Sequence, residues 1–406
     1  MNVRNGLKCL ALVMCFMVFC VTMAGAAEPA KYHIGIITGT VAQGEDEVRG
    51  AEAMIAEYGD VKDGGMIQHL TYPNNFAAEQ ETTISQIVSL ATDPMMKAIV
   101  MNQAVPGATE GFRRVREMRP DILLLAGVAH EDPLVIGKVA DFVMRNDFVS
   151  AGYRVIWAAK QLGADTFVHV SFPRHMSVET LTRRRMIFEQ ACEDLGVKWV
   201  FETAPDPLSD VGIVGAQQFL LENVPKWVDK YGKNASFYCT NDAHTEPLIR
   251  QVVEYGGTFV EASLPSPLLG FPGALGLDLS NEKGNFPAIM KKIEEVLESK
   301  NASGRLGTWS FSFPFCATTG LIQHAINVIE GESKMTDMQD ALKAFGKYTP
   351  GAKWAGSYYV DGTTGVKLDN YMLLLQDTYV FGKGYIGSAL LDVPEKYLKI
   401  SSGLQK

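Results

Sequence analysis

Residues 237–249 read FYCTNDAHTEPLI. Taken alone, Cys239, Thr240, Asn241, Asp242, His244 and Glu246 resemble a catalytic or metal-binding cluster. The flanks argue otherwise. A stretch with helical spacing, 215–231, precedes a short apolar run at 235–240, and helical spacing resumes at 246–255. Glu246 and Pro247 then fall in a first helical turn, where a negative charge and a proline are both favoured. The stretch is therefore a strand end, a rim and a helix start. Phe237, Tyr238 and Cys239 belong to the core, and Thr240, Asn241 and Asp242 cross the rim. Ligands of open parallel sheets bind at the carboxyl ends of the strands, which makes Asn241 and Asp242 candidate ligand acceptors with His244 beside them.

The same rhythm extends outward in both directions. Strand-like runs at 32–38, 66–72, 98–102, 122–126 and 140–144 alternate with helical spacing at 48–58, 77–91, 109–118 and 132–138. A second series runs from a helix at 149–162 through strands at 166–170, 198–203, 235–240 and 258–262. Alternation of this kind predicts parallel sheets wrapped by helices. Ser177 with Thr180 is a candidate helix start, and Gly196 and Gly256 fall just past two helix ends. The rhythm breaks at 263–280, rich in proline and glycine, which reads as a crossover between two lobes. Beyond it come a helix at 285–299, a strand at 308–313, a helix at 317–330 and a hairpin signal at 361–365.

Several segments together resemble the type I periplasmic binding protein family. YHIGIITGTVAQGEDEVRGAEAMI looks like its first unit. VADFVMRNDFVSAGYRVIWAAKQLGA looks like its passage into the second lobe, with Asp147 five residues before Gly152. TRRRMIFEQACEDLG matches the family's arginine-x-x-glycine-phenylalanine helix at Arg184 and Phe188, with Ile187 where glycine is usual. FYCTNDAHTEPL and FCATTGLIQHAINVIEGE resemble two later units. The resemblance spans about 31–332 and implies an α/β fold of two doubly wound parallel-sheet lobes joined by a multi-stranded hinge. The expected division is 31–147 plus about 275–345 for the N-terminal lobe, and 148–274 plus about 346–400 for the C-terminal lobe. It also implies closure on a small polar organic ligand and delivery to an ABC transporter permease or a membrane sensor.

The strand-end rule nominates the remaining site residues. Thr38, Thr40 and Gln43 follow the first strand; Asn102 and Gln103 end the third; His130 follows the fourth; Asn146 and Asp147 stand at the crossover. The family reading of Asp147 is a group that holds a ligand or an opposing arginine. In the second lobe Phe172 could stack on a ring and Arg174 could fork onto a carboxylate. The loop at 38–44 fits neither GxGxxG nor the P-loop pattern, and Glu45, Asp46 and Glu47 would repel a phosphate. Trp309, Phe311 and Phe313 would share one face of the expected strand, more in keeping with core than with a ligand wall.

The first residues carry Arg4 and Lys8, an apolar run at 9–23 and then Ala24-Gly25-Ala26. This predicts a signal peptide, 1–26, and a periplasmic or otherwise exported protein. Neither Cys15 nor Cys20 follows the small residue that lipid attachment favours, so no lipid anchor is expected. Cleavage leaves about 380 residues, long for one core and suited to two lobes. With 46 acidic against 37 basic side chains and a net charge of −9, nucleic acid is a poor partner. Of six cysteines, Cys192, Cys239 and Cys316 lie past the cleavage point, without CxxC spacing, and the seven histidines show no HxH or HExxH spacing. No metal, cofactor or catalysis is therefore expected, and the protein should act as a monomer. The alternative is an exported enzyme using Asp242, His244 or His175 as acid and base.

Overall fold

The computed structural model describes residues 30–403, so the signal-peptide segment lies outside the described residues. β1 (His33–Thr38) leads to α1 (Val41–Tyr58), and β2 (Ile67–Thr71) leads to α2 (Gln80–Leu90). β3 (Met96–Asn102) is followed by α3 (Ala108–Met118), and β4 (Leu123–Gly127) passes through the short α4 (Pro133–Ile136) to β5 (Phe142–Asn146). These strands pair in parallel in the order β2-β1-β3-β4-β5. Both faces are covered, which is why the strands read as continuous apolar runs: Ile34, Ile36, Ile99, Val100 and Leu125 are all fully buried.

The second lobe begins with α5 (Phe148–Gln161) and β6 (Thr166–Ser171), then α6 (Glu179–Leu195) and β7 (Lys198–Thr203). α7 (Gly212–Tyr231), β8 (Ala235–Cys239), α8 (Thr245–Tyr255) and β9 (Thr258–Phe259) complete it. Its parallel order is β7-β6-β8-β9. Two positions explain the α5–α6 contact. A side chain at Gly152 would meet Ile187 at 2.7 Å, so the departure from the family's glycine at Ile187 is accommodated by the missing side chain at Gly152. Gly196 ends α6 in the left-handed conformation expected of it (φ 65, ψ 41). Ser177 caps no helix: its hydroxyl donates to the Arg174 carbonyl, and α6 starts at Glu179 without a side-chain cap.

The later chain departs further from the sequence pattern. The proline- and glycine-rich stretch contains α9 (Phe271–Leu275), which packs on α8, and leads to α10 (Phe286–Ser299). Leu306 then bridges Phe259 in parallel, and Arg305 donates to the carbonyls of Val252 and Gly257. Residues 305–306 therefore adjoin the second sheet instead of the first. The expected strand at 308–313 is only β10 (Gly307–Thr308); Pro314 in a first helical turn starts α11 (Phe313–Ile329) early, and all of Trp309–Phe313 is buried core. α11 packs on α1, β3 and β4, and α12 (Met338–Lys347) packs on α11.

The tail corrects the expected division. β11 (Trp354–Val360) and β12 (Lys367–Gln376) form the predicted hairpin, with Asp361 Oδ1 accepting from the backbone of Thr363 and Thr364. β12 pairs in parallel with β5, so the hairpin extends the first sheet to seven strands instead of joining the C-terminal lobe. Burial decides this: Met372 and Leu374 are fully buried beside β5. After β12 the chain crosses again to β13 (Tyr379–Val380) and β14 (Gly384–Tyr385), and α13 (Glu395–Leu398) rests on α5 and α6. The lobes are thus joined at three places, 146–148, 308–313 and 376–379. Among the described residues no helix is long and apolar enough to cross a membrane. Cys192, Cys239 and Cys316 are all free and buried.

Candidate functional site

Strand order locates the crevice. In the first sheet it reverses between β1 and β3, and in the second between β6 and β8. Loops leaving such switch points diverge and open a cleft at the carboxyl ends of the strands. There the structure has a cavity of about 560 Å³. Gln43 comes from the first turn of α1, Gln103 from the end of β3 and Asp242 from just past β8, so both lobes contribute walls.

Gln103 is presented with care. Its backbone is left-handed (φ 50), and Asn102 Oδ1 accepts from its amide at 2.9 Å. Asn102 is fully buried and donates to the Pro314 carbonyl at 2.8 Å and to Thr318 Oγ1 at 2.7 Å, tying β3 to the start of α11. Gln103 Nε2 in turn donates at 2.6 Å to Glu47, a fully buried side chain of α1 whose carboxyl is pushed up to about 8 by burial. Asp46, on the cavity wall, accepts from Ser266 Oγ at 3.0 Å and from Ser312 Oγ, and burial raises its carboxyl too. Asp242 has no such donor. Its side chain is exposed at the cavity wall.

The other expected site residues are engaged elsewhere. Thr38 is buried, donating to the Gly39 carbonyl and bonded to His69. Thr40 bonds Asn74, which also holds Gln43 through its carbonyl at 2.7 Å. His130 meets Phe76 edge to face, and desolvation pushes its ring down to about 4. Asn146 donates to the Ser263 carbonyl, and Asp147 caps α5 by accepting from Val149 and Ser150. Phe172 is buried against His175 with ring centroids 4.2 Å apart, leaving no free face to stack. Arg174 is spent on a two-point ion pair with Asp206 at 2.6 and 2.8 Å. Asn241 turns back to accept from Ala243 N. His175 bonds Thr240, and His244 bonds the Pro205 carbonyl; neither bonds Asp242, so the three form no acid–base relay.

Sequence reasoning missed most of the apolar wall. Leu264, Leu268, Leu269, Leu279 and Pro272 all line the cavity, and all come from the stretch that reads as a crossover. The available signal was leucines in a segment too rich in proline and glycine for regular structure, since loop leucines need something to cover. At the hinge a second space of about 20 Å³ is lined by Arg184, Glu261 and Trp309 together with the expected site residues Asn146 and Asp147. Arg184 is 1% exposed, sits over the rings of Phe148 and Tyr238 at 4.7 and 5.1 Å, and donates to Ser263 Oγ. Burial pushes Glu261 up to about 7.

Two lobes of doubly wound sheet, three connections and a cleft at both switch points define the type I periplasmic binding protein fold. The chain belongs to the family described as "Protein of unknown function (DUF3798)", which matches residues 32–307; a second family matches 318–400. An uncharacterised protein of Treponema pallidum is 40% identical over 220 residues, 54% of this chain and 100% of the relative. Among solved structures, a candidate transcriptional regulator of Clostridium difficile superposes with a TM-score of 0.77 at 21% identity, covering 86% of this chain and 99% of the other. A sugar ABC transporter protein of Actinomyces odontolyticus superposes at 0.54 with 9% identity, covering 91% and 100%. These likenesses are of fold.

Proposed function

We propose that the protein is an exported solute-binding protein whose lobes close on a small polar organic molecule, and whose closed form is recognised by an ABC transporter permease or a membrane sensor. The observation that carries this reading is the cavity walled by Gln43 and Gln103 from one lobe and Asp242 from the other. A ligand touching both walls binds the closed arrangement better than the open one, and that differential affinity is what moves the equilibrium. The fold likeness to a sugar ABC transporter protein supports the reading, and the basic and apolar first residues support export.

The test is a thermal-shift screen of the mature chain against metabolite libraries. A ligand at 100 times its Kd, bound only to the native state, adds about 2.7 kcal/mol. Saturable binding without turnover, accompanied by a smaller radius of gyration in solution scattering, is the expected result. A blank across sugars, nucleosides, amino acid derivatives and amines, or steady consumption of a bound compound, would overturn it.

A further inference from the structure

The charge of the cavity wall restricts what the site can hold. Three carboxylates, Glu45, Asp46 and Asp242, line it against two cations, Arg49 and Lys283. Arg49 is already committed: its guanidinium contacts Glu45 at 2.9 Å and Glu52 at 2.6 Å. That leaves Asp46 and Asp242, one from each lobe, facing the exposed Lys283 alone. Asp46 receives both its serine hydroxyls on Oδ2, and Asp242 accepts no hydrogen bond from the described residues. A further acid stands directly behind the wall. Glu47's carboxyl occupies the space that a side chain at Gly44 would fill, 1.9 Å from the Cβ position, and its Oε2 is buried without a partner.

The remainder of the wall is aliphatic: Leu264, Leu268, Leu269, Leu279 and Ile289 line it, and among the described residues no aromatic ring does. A site that holds a flat ring or a sugar face by stacking would place one there. Exposed at the wall and without a hydrogen bond from the described residues, Asp242 is open to a charged donor, and charge-assisted hydrogen bonds are the strong ones.

Resting on the solute-binding reading above, we infer that the ligand carries a single positive charge, an aliphatic amine whose ammonium lies between Asp46 and Asp242 and whose hydrocarbon part lies against the leucines of residues 264–279. Bound there, the ammonium neutralises the one excess negative charge of the wall, and its N–H groups supply the donors that Asp242 and the free oxygen of Asp46 lack.

The experiment compares matched sets. The mature protein is titrated by thermal shift and calorimetry with primary amines of five to eight carbons, their amino-alcohol counterparts, and the acids and alcohols of the same lengths. Saturable stabilisation by amines alone is expected, weakened about tenfold or more in Asp242→Asn and in Asp46→Asn, and strengthened in Lys283→Gln. Circular dichroism and the unliganded melting temperature establish that each variant is folded. Binding of acids or alcohols as tight as that of amines, indifference to both aspartate variants, or no binding of any amine overturns the inference. If amines fail while a neutral or anionic solute binds and depends on Gln43 and Gln103, the charge assignment falls and solute binding stands. If nothing of any class binds, both fall.

Discussion

Glu47, behind the cavity wall, shows how a single side chain couples stability to pH. Its carboxyl is buried, shares one oxygen with Gln103, and is pushed from an ordinary 4.5 up to about 8. The native protein therefore keeps a proton that the unfolded chain releases near 4.5. The resulting stability is fully present below that value and is lost as pH rises toward about 8. Glu47→Gln keeps the acceptor for Gln103 without the charge. Denaturant unfolding at pH 5 and pH 8 should show the variant gaining on the order of 1–3 kcal/mol over wild type at the higher pH, and an unchanged pH slope would refute the assignment. At this scale the sequence was legible at Gln43, Gln103 and Asp242, whose side chains line the cavity. It was not legible at Thr38, Asn102, Asp147 and Asn241, whose short polar groups turn back to the chain or its neighbours. Such local bonds depend on backbone direction, which residue order does not disclose.

Among the elements, α5 and α6 touch through a glycine. Substituting Gly152 places a side chain 2.7 Å from Ile187 and 3.2 Å from the Arg184 carbonyl. Gly152→Val should cost about 1–3 kcal/mol as an overpacked contact, and adding Ile187→Ala should recover part of it; additive losses in denaturant unfolding would refute this account. The alternation of strands and helices was readable because buried parallel strands are apolar throughout and their helices keep one apolar stripe. The elements misread are those set by partners far along the chain. Trp309–Phe313 has strand periodicity, but β10 ends at Thr308 and α11 begins. The leucines of the proline-rich stretch have no period at all, and only the cavity they cover explains them.

At the scale of the whole molecule, two lobes could be inferred from two strand series, but not which lobe would take the tail, because β12 is apolar enough for either sheet. It completes the first sheet beside β5, and the chain then returns to clasp the second lobe. Tyr397 anchors that clasp: it is 2% exposed, its ring lies 4.8 Å from Tyr153, and its hydroxyl donates to Asp194 at 2.5 Å. Arg183 Nε donates to the Ile400 carbonyl at 2.7 Å close by. Tyr397→Ala should lower stability by about 3–5 kcal/mol, seen as a fall in the unfolding midpoint, whereas a loss below about 0.5 kcal/mol would mean the clasp bears no weight. The seven-stranded sheet also sets an order of events. Its strands run from His33 to Gln376, whereas the four strands of the second sheet span Thr166 to Phe259. Contacts distant in sequence form slowly, so during synthesis or after passage through a translocation channel the second sheet can form first. The first lobe, with β5 still presenting a bare edge, must wait for the last strand to arrive, and over that interval the nascent chain needs protection from aggregation most.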